Sequence, residues 1–375
     1  MTRRLIDGTA IGWGAAADGP LPPRGGELGW GGRHARVLPG ETHSPTLPQE
    51  GEGDRAACRL VWRSIPSRLW LIAPLSLAAT PAFAVPPACV EFDGHLAETL
   101  THAPISLELN NLLFDASRKG CLEALPKLFE AGASRLARNR EGDTALGLAA
   151  RAGRDEIVAA LLDGAPEAER RQLDLPDARG ATPLMLALHA GRSAVAQHLL
   201  DAGAAVEIAD NQGETALSEA AYAGDVALGA ALLARGAKPA TQDHYGKTPI
   251  CYAAARGAAG LVAALLEAGV DVNARYGGEL TALMWAAGHP DLTATERAVA
   301  TAKLLIAHGA NVDLVDDRGR SALMIAAGLN RFETAQALLE AGAAKGLRDK
   351  NGASAADLAA TPEMRALVEG LGTRQ

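Results

Sequence analysis

"NQGETALSEAAYAG", residues 211–224, is followed thirty-three positions later by "HYGKTPICYAAARG", residues 244–257, and the pair agree at the turn glycine, the threonine, an alanine pair and the closing glycine. The same frame extends to both sides. "REGDTALGLAARAG" (140–153) and "ARGATPLMLALHAG" (178–191) precede it; "GGELTALMWAAGHP" (277–290), "DRGRSALMIAAGLN" (317–330) and "KNGASAADLAATPE" (350–363) follow. Counted by their hydroxyl residues, Thr144, Thr182, Thr215, Thr248, Thr281, Ser321 and Ser354, the units are spaced 38, 33, 33, 33, 40 and 33 residues apart. A recurrent period of this size marks one supersecondary unit used many times.

Each residue class in the unit has a physical task. The glycine two places before the hydroxyl, as at Gly142, Gly213 and Gly319, suits a tight turn that needs positive φ or close backbone approach. The Thr or Ser caps a first helix by accepting from an orphaned N–H, and Pro183 and Pro249 then occupy the first helical position, where a missing donor costs nothing. Alanine pairs such as Ala220-Ala221 allow close helix approach, and Gly153, Gly191, Gly224 and Gly257 end that helix. Leu161-Leu162, Leu199-Leu200, Leu232-Leu233, Leu265-Leu266, Leu304-Leu305 and Leu338-Leu339 supply the apolar side of a second helix, closed by Gly-Ala at Gly164, Gly203, Gly236, Gly309 and Gly342.

These residues resemble the ankyrin repeat, D-x-x-G-x-T-P-L-x-x-A-A-x-x-G followed by x-x-L-L-x-x-G-A, in register from about Asn139 to Leu358. The resemblance implies an all-α solenoid, a right-handed stack with one β-turn and one helix pair per 33-residue unit. One departure is consistent: the family's histidine after T-P-L is absent, replaced by Met185 in one unit and Cys251 in another, so its hydrogen bond to the threonine is expected to be missing. "LPKLFEAGAS" reads as a degenerate amino-terminal capping repeat and "EMRALVEGLGTRQ" as a polar carboxyl-terminal cap.

Two insertions break the period. "PEAERRQLDLP" (166–176) is strongly charged and reads as a solvated loop. "GHPDLTATERAVATAKLL" carries Thr293 and Glu296 at capping-box spacing, which would restart the second helix after a loop holding His289, Pro290 and Asp291. Long loops on rigid scaffolds often carry function.

Ahead of the repeats, "SRLWLIAPLSLAATPAFAVPP" (67–87) has Arg63 and Arg68 before it or at its start, an apolar run, and the small-x-small sequence Ala82-Phe83-Ala84. It reads as an export signal cleaved near Ala84, and its apolar run is too short to span a bilayer. Residues 1–60 are rich in Gly, Pro and Arg and show no apolar periodicity. They are either a disordered extension or an untranslated stretch ahead of a non-AUG start near Leu60, Val61 or Leu69. The expected division is therefore an extension (1–60), a signal peptide (61–84), a linker (85–109) and about six full repeats with degenerate caps (110–375).

Nine of the 36 basic and seven of the 44 acidic residues lie within 1–84, leaving 27 basic and 37 acidic residues and a net charge near −10 for the remainder. That balance, with Lys and Arg scattered, disfavours nucleic acid and anionic lipid. Stable membrane insertion after cleavage is not expected, and a monomer is. Four cysteines are too few for a disulfide scaffold. Cys89 and Cys121 are either bonded in an oxidising compartment or two free thiols; the sequence leaves both open. No Cys/His group has metal-ligand spacing, and no catalytic motif or phosphate-cradling loop occurs in context, so neither metal, cofactor nor enzymatic chemistry is expected.

The resemblance implies protein contacts from the turn tips and from the groove-facing side of the first helices. Carried over position by position, the candidate binding residues are Arg179, Asn211, Gln212, His244, Tyr245, Asp317 and Arg318 at the tips, with Tyr222, Arg256, Trp285 and His289 on the helices. Arg151 and His189 occupy matching helix positions, and Glu214 and Lys247 matching tips. The middle units hold nearly all the array's aromatics, with Tyr252 and Trp285 able to serve either as anchors or as core. The expectation is a non-catalytic scaffold in the periplasm, or secreted, with an acidic groove for a protein partner. The alternative is a modulator of a periplasmic enzyme, since some exported bacterial ankyrin proteins are associated with protection from peroxide.

Overall fold

The computed structural model describes residues 87–163, 165–288 and 295–370. The amino-terminal extension, the export segment with its cleavage point near Ala84, Gly164, His289 and the Thr293 end of the capping box all lie outside the described residues.

Among the described residues no strand occurs; seventeen α-helices carry the chain, most of them in pairs. The first helices of successive units are α4 (Ala145–Ala152), α6 (Pro183–His189), α8 (Ala216–Ala223), α10 (Pro249–Ala255), α12 (Ala282–Ala287), α14 (Ala322–Gly328) and α16 (Ala355–Leu358). Their partners are α5 (Asp155–Asp163), α7 (Ser193–Asp201), α9 (Val226–Ala234), α11 (Ala259–Glu267), α13 (Thr295–Ala307), α15 (Phe332–Glu340) and α17 (Pro362–Glu369). Before them stand α1 (Pro87–Leu100), α2 (Ser106–Lys119) and α3 (Ala124–Glu130). First helices pack on first helices from α2 through α16, and second helices on second helices from α5 through α17, so the extensive helix contacts lie within a unit or between neighbouring units. This is an all-α solenoid.

The capping chemistry follows the residue pattern. Thr144, Thr182, Thr215, Thr281, Ser321 and Ser354 each accept from the backbone N–H three residues on, at 3.1–3.4 Å. Thr248 does not; its hydroxyl instead lies 3.6 Å from Cys251 Sγ. The thiol stands where the family's histidine would be, so the bond expected to be missing is replaced by a weaker one. Leu146, Leu184, Leu217, Leu265 and Leu323, with the alanines between them, are fully buried. Each such leucine contributes about 1.5–3 kcal/mol on leaving water.

Successive turns are tied directly to one another. The N–H of Ala178, Asn211, His244, Gly277, Asp317 and Lys350 each donates to a carbonyl of the preceding turn, at 2.8–3.2 Å. That ladder explains two glycines. A Cβ on Gly142, whose φ is +79°, would lie 2.5 Å from the Ala178 nitrogen, and one on Gly277 would lie 2.1 Å from the Tyr245 carbonyl oxygen. In the fifth unit Glu279 holds the position where the other units place glycine, and it does so at φ +61°.

Two expectations need correction. The stretch read as a linker carries α1, whose Cys89, Phe92 and Leu96 are buried at helical spacing against α2, and a disulfide joins Cys89 to Cys121 with Cα atoms 5.3 Å apart. The charged insertion is not a solvated loop but a 3-10 turn over Glu167–Asp174. Its Gln172 and Leu173 are buried, and the Gln172 amide donates to the Leu161 carbonyl at 2.8 Å. Arg135 holds it from the preceding repeat, pairing with Glu169 at 3.3 Å while its guanidinium sits 3.7 Å over the Phe129 ring.

Candidate functional site

Residues five, three and one places before the hydroxyl, and four and seven or eight places after it, recur on one side of the stack because the unit repeats. In the structure they form a connected network that crosses from unit to unit. Arg151 pairs with Asp143 at 2.7 Å within its own unit and reaches Asp177 of the next at 3.5 Å. Arg179, at the tip, also approaches Asp177 at 3.5 Å. His189 Nδ1 lies 3.3 Å from Glu219 Oε2, one unit on.

The middle of the network is aromatic. Tyr222 meets Tyr252 edge to face, and the Arg256 guanidinium lies 5.6 Å from the Tyr222 ring centre. The Tyr252 hydroxyl donates to Asp243 in a short hydrogen bond and also faces Glu214 Oε1 at 3.0 Å. Lys247 completes the cluster, its Nζ 5.5 Å from Tyr245, 5.5 Å from Tyr252 and 5.4 Å from Trp285. Contacts of this kind are worth about 0.5–1 kcal/mol each at exposed sites and more when drier.

Burial divides this network by charge. The side chains of Asp143 and Asp177 are 4% exposed and that of Glu219 is 6%, whereas Arg151, Arg179 and His189 above them are 39%, 51% and 28% exposed. Glu214 and Asp243 are likewise buried beneath the half-buried Lys247. The acidic groove expected from composition is therefore lined outwardly by cations. The exposed acids nearby, Glu141, Glu279 and Asp317, sit at turn tips.

Aspartates at the turns, all buried except the half-buried Asp210, also have local work. Asp243 Oδ1 accepts from the N–H groups of Tyr245 and Lys247, and Asp177, Asp210, Asp316 and Asp349 repeat this pattern. Burial, reinforced by the hydrogen bond to Asp243, pushes the Tyr252 hydroxyl far above the usual phenol range. Burial also pushes Tyr276 up to about 12 and the Cys251 thiol up to about 11, which leaves that thiol protonated and unreactive at neutral pH.

The candidate residues fall on this side as follows. Arg179, Asn211, Gln212, His244, Tyr245, Asp317 and Arg318 are exposed at the tips; Tyr245 is 63% exposed and its hydroxyl donates to Gln212 Oε1 at 3.2 Å. The Asn211 amide, though exposed, donates to the Ala178 carbonyl of the preceding turn at 3.1 Å. Tyr222, Arg256 and Trp285 are half-buried. Sequence reasoning named Tyr252, Glu214 and Lys247 separately but missed Asp243 and the convergence of all four on one cluster. The available signal was register: Glu214 and Lys247 are equivalent positions in adjacent units, and Tyr252 and Trp285 are as well.

A second feature lies at the amino-terminal end. A cleft of about 800 Å³ runs beside α1 and α2, lined by His95, Glu98, His102, Glu108, Asp115 and Arg118 among others. Among the described residues no group of three or more His, Cys, Asp or Glu side chains is placed to hold a metal ion. No helix among them is long and apolar enough to cross a membrane.

A repeated turn and helix pair, a ladder of bonded turns and a polar side built from equivalent positions define a repeat solenoid of the interaction type. The family profile "Ankyrin repeats (3 copies)" matches in six overlapping segments, from residues 113–210 to residues 292–371, and the chain belongs to the ankyrin repeat family. Ankyrin repeats generally mediate contacts between proteins. Among solved structures, the crystal structure of the ankyrin repeat domain of Bcl-3, a unique member of the IkappaB protein family, is similar at 26% identity and TM-score 0.48, covering 62% of this chain and 100% of that one. No curated protein matches the chain.

Proposed function

We propose that the chain is a non-catalytic scaffold, exported to the periplasm, that binds a protein partner through its turn tips and the groove side of its first helices. The observation that carries this reading is the cross-unit cluster of Tyr222, Tyr245, Tyr252, Trp285, Lys247 and Arg256, which places aromatic and cationic side chains on one side of the stack. Tyr, Trp and Arg are the residue types that anchor protein interfaces. Export is supported by the signal-like segment before Ala84 and by the Cys89–Cys121 bond, a linkage that persists in oxidising compartments.

The test is capture from periplasmic extract with the full chain and with a variant carrying Tyr222→Ala, Tyr245→Ala and Trp285→Ala. At least one protein retained by the wild type is expected to be lost by the variant, with thermal unfolding reported for both. An unchanged set of retained proteins would remove the aromatic anchor from the reading.

A further inference from the structure

We propose that the partner presents an acidic segment, and that this chain reads its carboxylates with the outward row of cations formed by Arg151, Arg179, Arg256 and Lys247. The proposal rests on the scaffold reading above and adds the chemistry of the partner. It follows from a sorting of charge that composition hides. The array is net acidic, yet on this side the carboxylates of Asp143, Asp177, Glu219, Glu214 and Asp243 are buried, where they hold turn N–H groups, arginines, His189 or the Tyr252 hydroxyl.

What a docking chain meets is therefore N–H donors rather than oxygen acceptors. The Arg151 and Arg179 side chains remain 39% and 51% exposed with one side engaged by acids from below, and a guanidinium has five donors, so some stay available for a second carboxylate. Lys247 is pre-positioned: three rings surround its ammonium at 5.4–5.5 Å, which limits the rotamer freedom a carboxylate would otherwise have to freeze. Tyr245, exposed beside it, offers an apolar face for a side chain flanking the acid. A basic segment finds no matching row: of the exposed acids at the turn tips, Glu141 stands alone in the first unit, Glu279 is already paired with Arg275 at 3.1 Å, and Asp317 is followed by the exposed Arg318.

The experiment titrates the full chain against three fluorescein-labelled probes: a short peptide of Glu and Asp interspersed with Leu, its Lys-substituted counterpart, and a single-stranded DNA oligonucleotide. Expected is saturable binding of the acidic peptide that weakens about tenfold or more in a variant carrying Lys247→Met, Arg179→Gln and Arg256→Gln, and that weakens as salt rises from about 50 to about 300 mM. Lys247→Arg is expected to retain binding. Should the triple variant unfold, single Arg179→Gln and Arg256→Gln variants are read instead, each weakening the acidic peptide. Tighter binding of the Lys peptide or of DNA, equal binding of the acidic peptide by wild type and variants, or no binding of any probe would overturn the proposal. None of these outcomes touches the scaffold reading, which fails separately if the aromatic variant captures the same proteins as the wild type.

Discussion

Tyr222 and Tyr252, thirty residues apart in the chain, meet edge to face with ring centroids 6.1 Å apart and planes inclined at 79°. The contact joins α8 and α10, the first helices of two adjacent units. The pair couples neighbouring modules directly through their side chains.

The Tyr252 hydroxyl stands between two buried carboxylates, Asp243 and Glu214. Tyr252→Phe removes the donor that both face and is expected to cost about 1–3 kcal/mol in urea unfolding. Tyr245→Phe, whose exposed hydroxyl meets only Gln212 in this environment, is expected to stay within about 0.5 kcal/mol of wild type. Equal effects of the two would show that the buried phenol is not a fastening point.

Alkaline titration separates the tyrosines. Burial raises Tyr276 to about 12 and Tyr252 further still, both above the ordinary value of 10.0. Because the folded values are raised, the stability these groups contribute is fully present below about pH 10 and drains as pH climbs toward the folded values. Tyrosinate absorbance is expected to show two of the four tyrosines ionising late and together with loss of helical circular dichroism. Four independent phenols titrating near pH 10 with the fold intact would contradict this.

Glu279 is a non-glycine residue in the left-handed region, at the place where other units use glycine. Glu279→Gly is expected to raise stability by about 1 kcal/mol, the strain relieved exceeding the loss of an exposed pair with Arg275 at 3.1 Å. Thermal unfolding of the two proteins decides it; a lower midpoint in the variant would mean the ion pair outweighs the strain.

The disulfide between Cys89 and Cys121 closes 32 residues and ties α1 to the turn after α2. Cys89→Ser is expected to lower stability by about 2–4 kcal/mol, localised to the amino-terminal end, so limited proteolysis should cut near α1 first. Reductant should reproduce the effect in wild type and add nothing in the variant.

Much of this was legible in the residues. Gly142, Thr144 and the Leu161-Leu162 pair carry turn, cap and second helix in one reading, because each property is local and repeated. The helix α1 was less visible because it stands outside the repeat, although Cys89, Phe92 and Leu96 hold helical spacing. The 3-10 turn over Glu167–Asp174 was masked by its charges, since burial of Gln172 depends on the Leu161 carbonyl of another element. The cluster around Lys247 was hidden for the same reason: its partners are brought close by stacking, and only reading equivalent positions side by side would have placed Tyr252 next to Trp285 around one ammonium.

The most direct measurement is amide hydrogen exchange of the full chain with and without a captured partner. Protection is expected in the turns and first helices of the middle units, from Arg179 through Trp285, with α7, α9 and α11 unchanged. Protection confined to those second helices would place the partner on the opposite side and contradict a groove-binding scaffold.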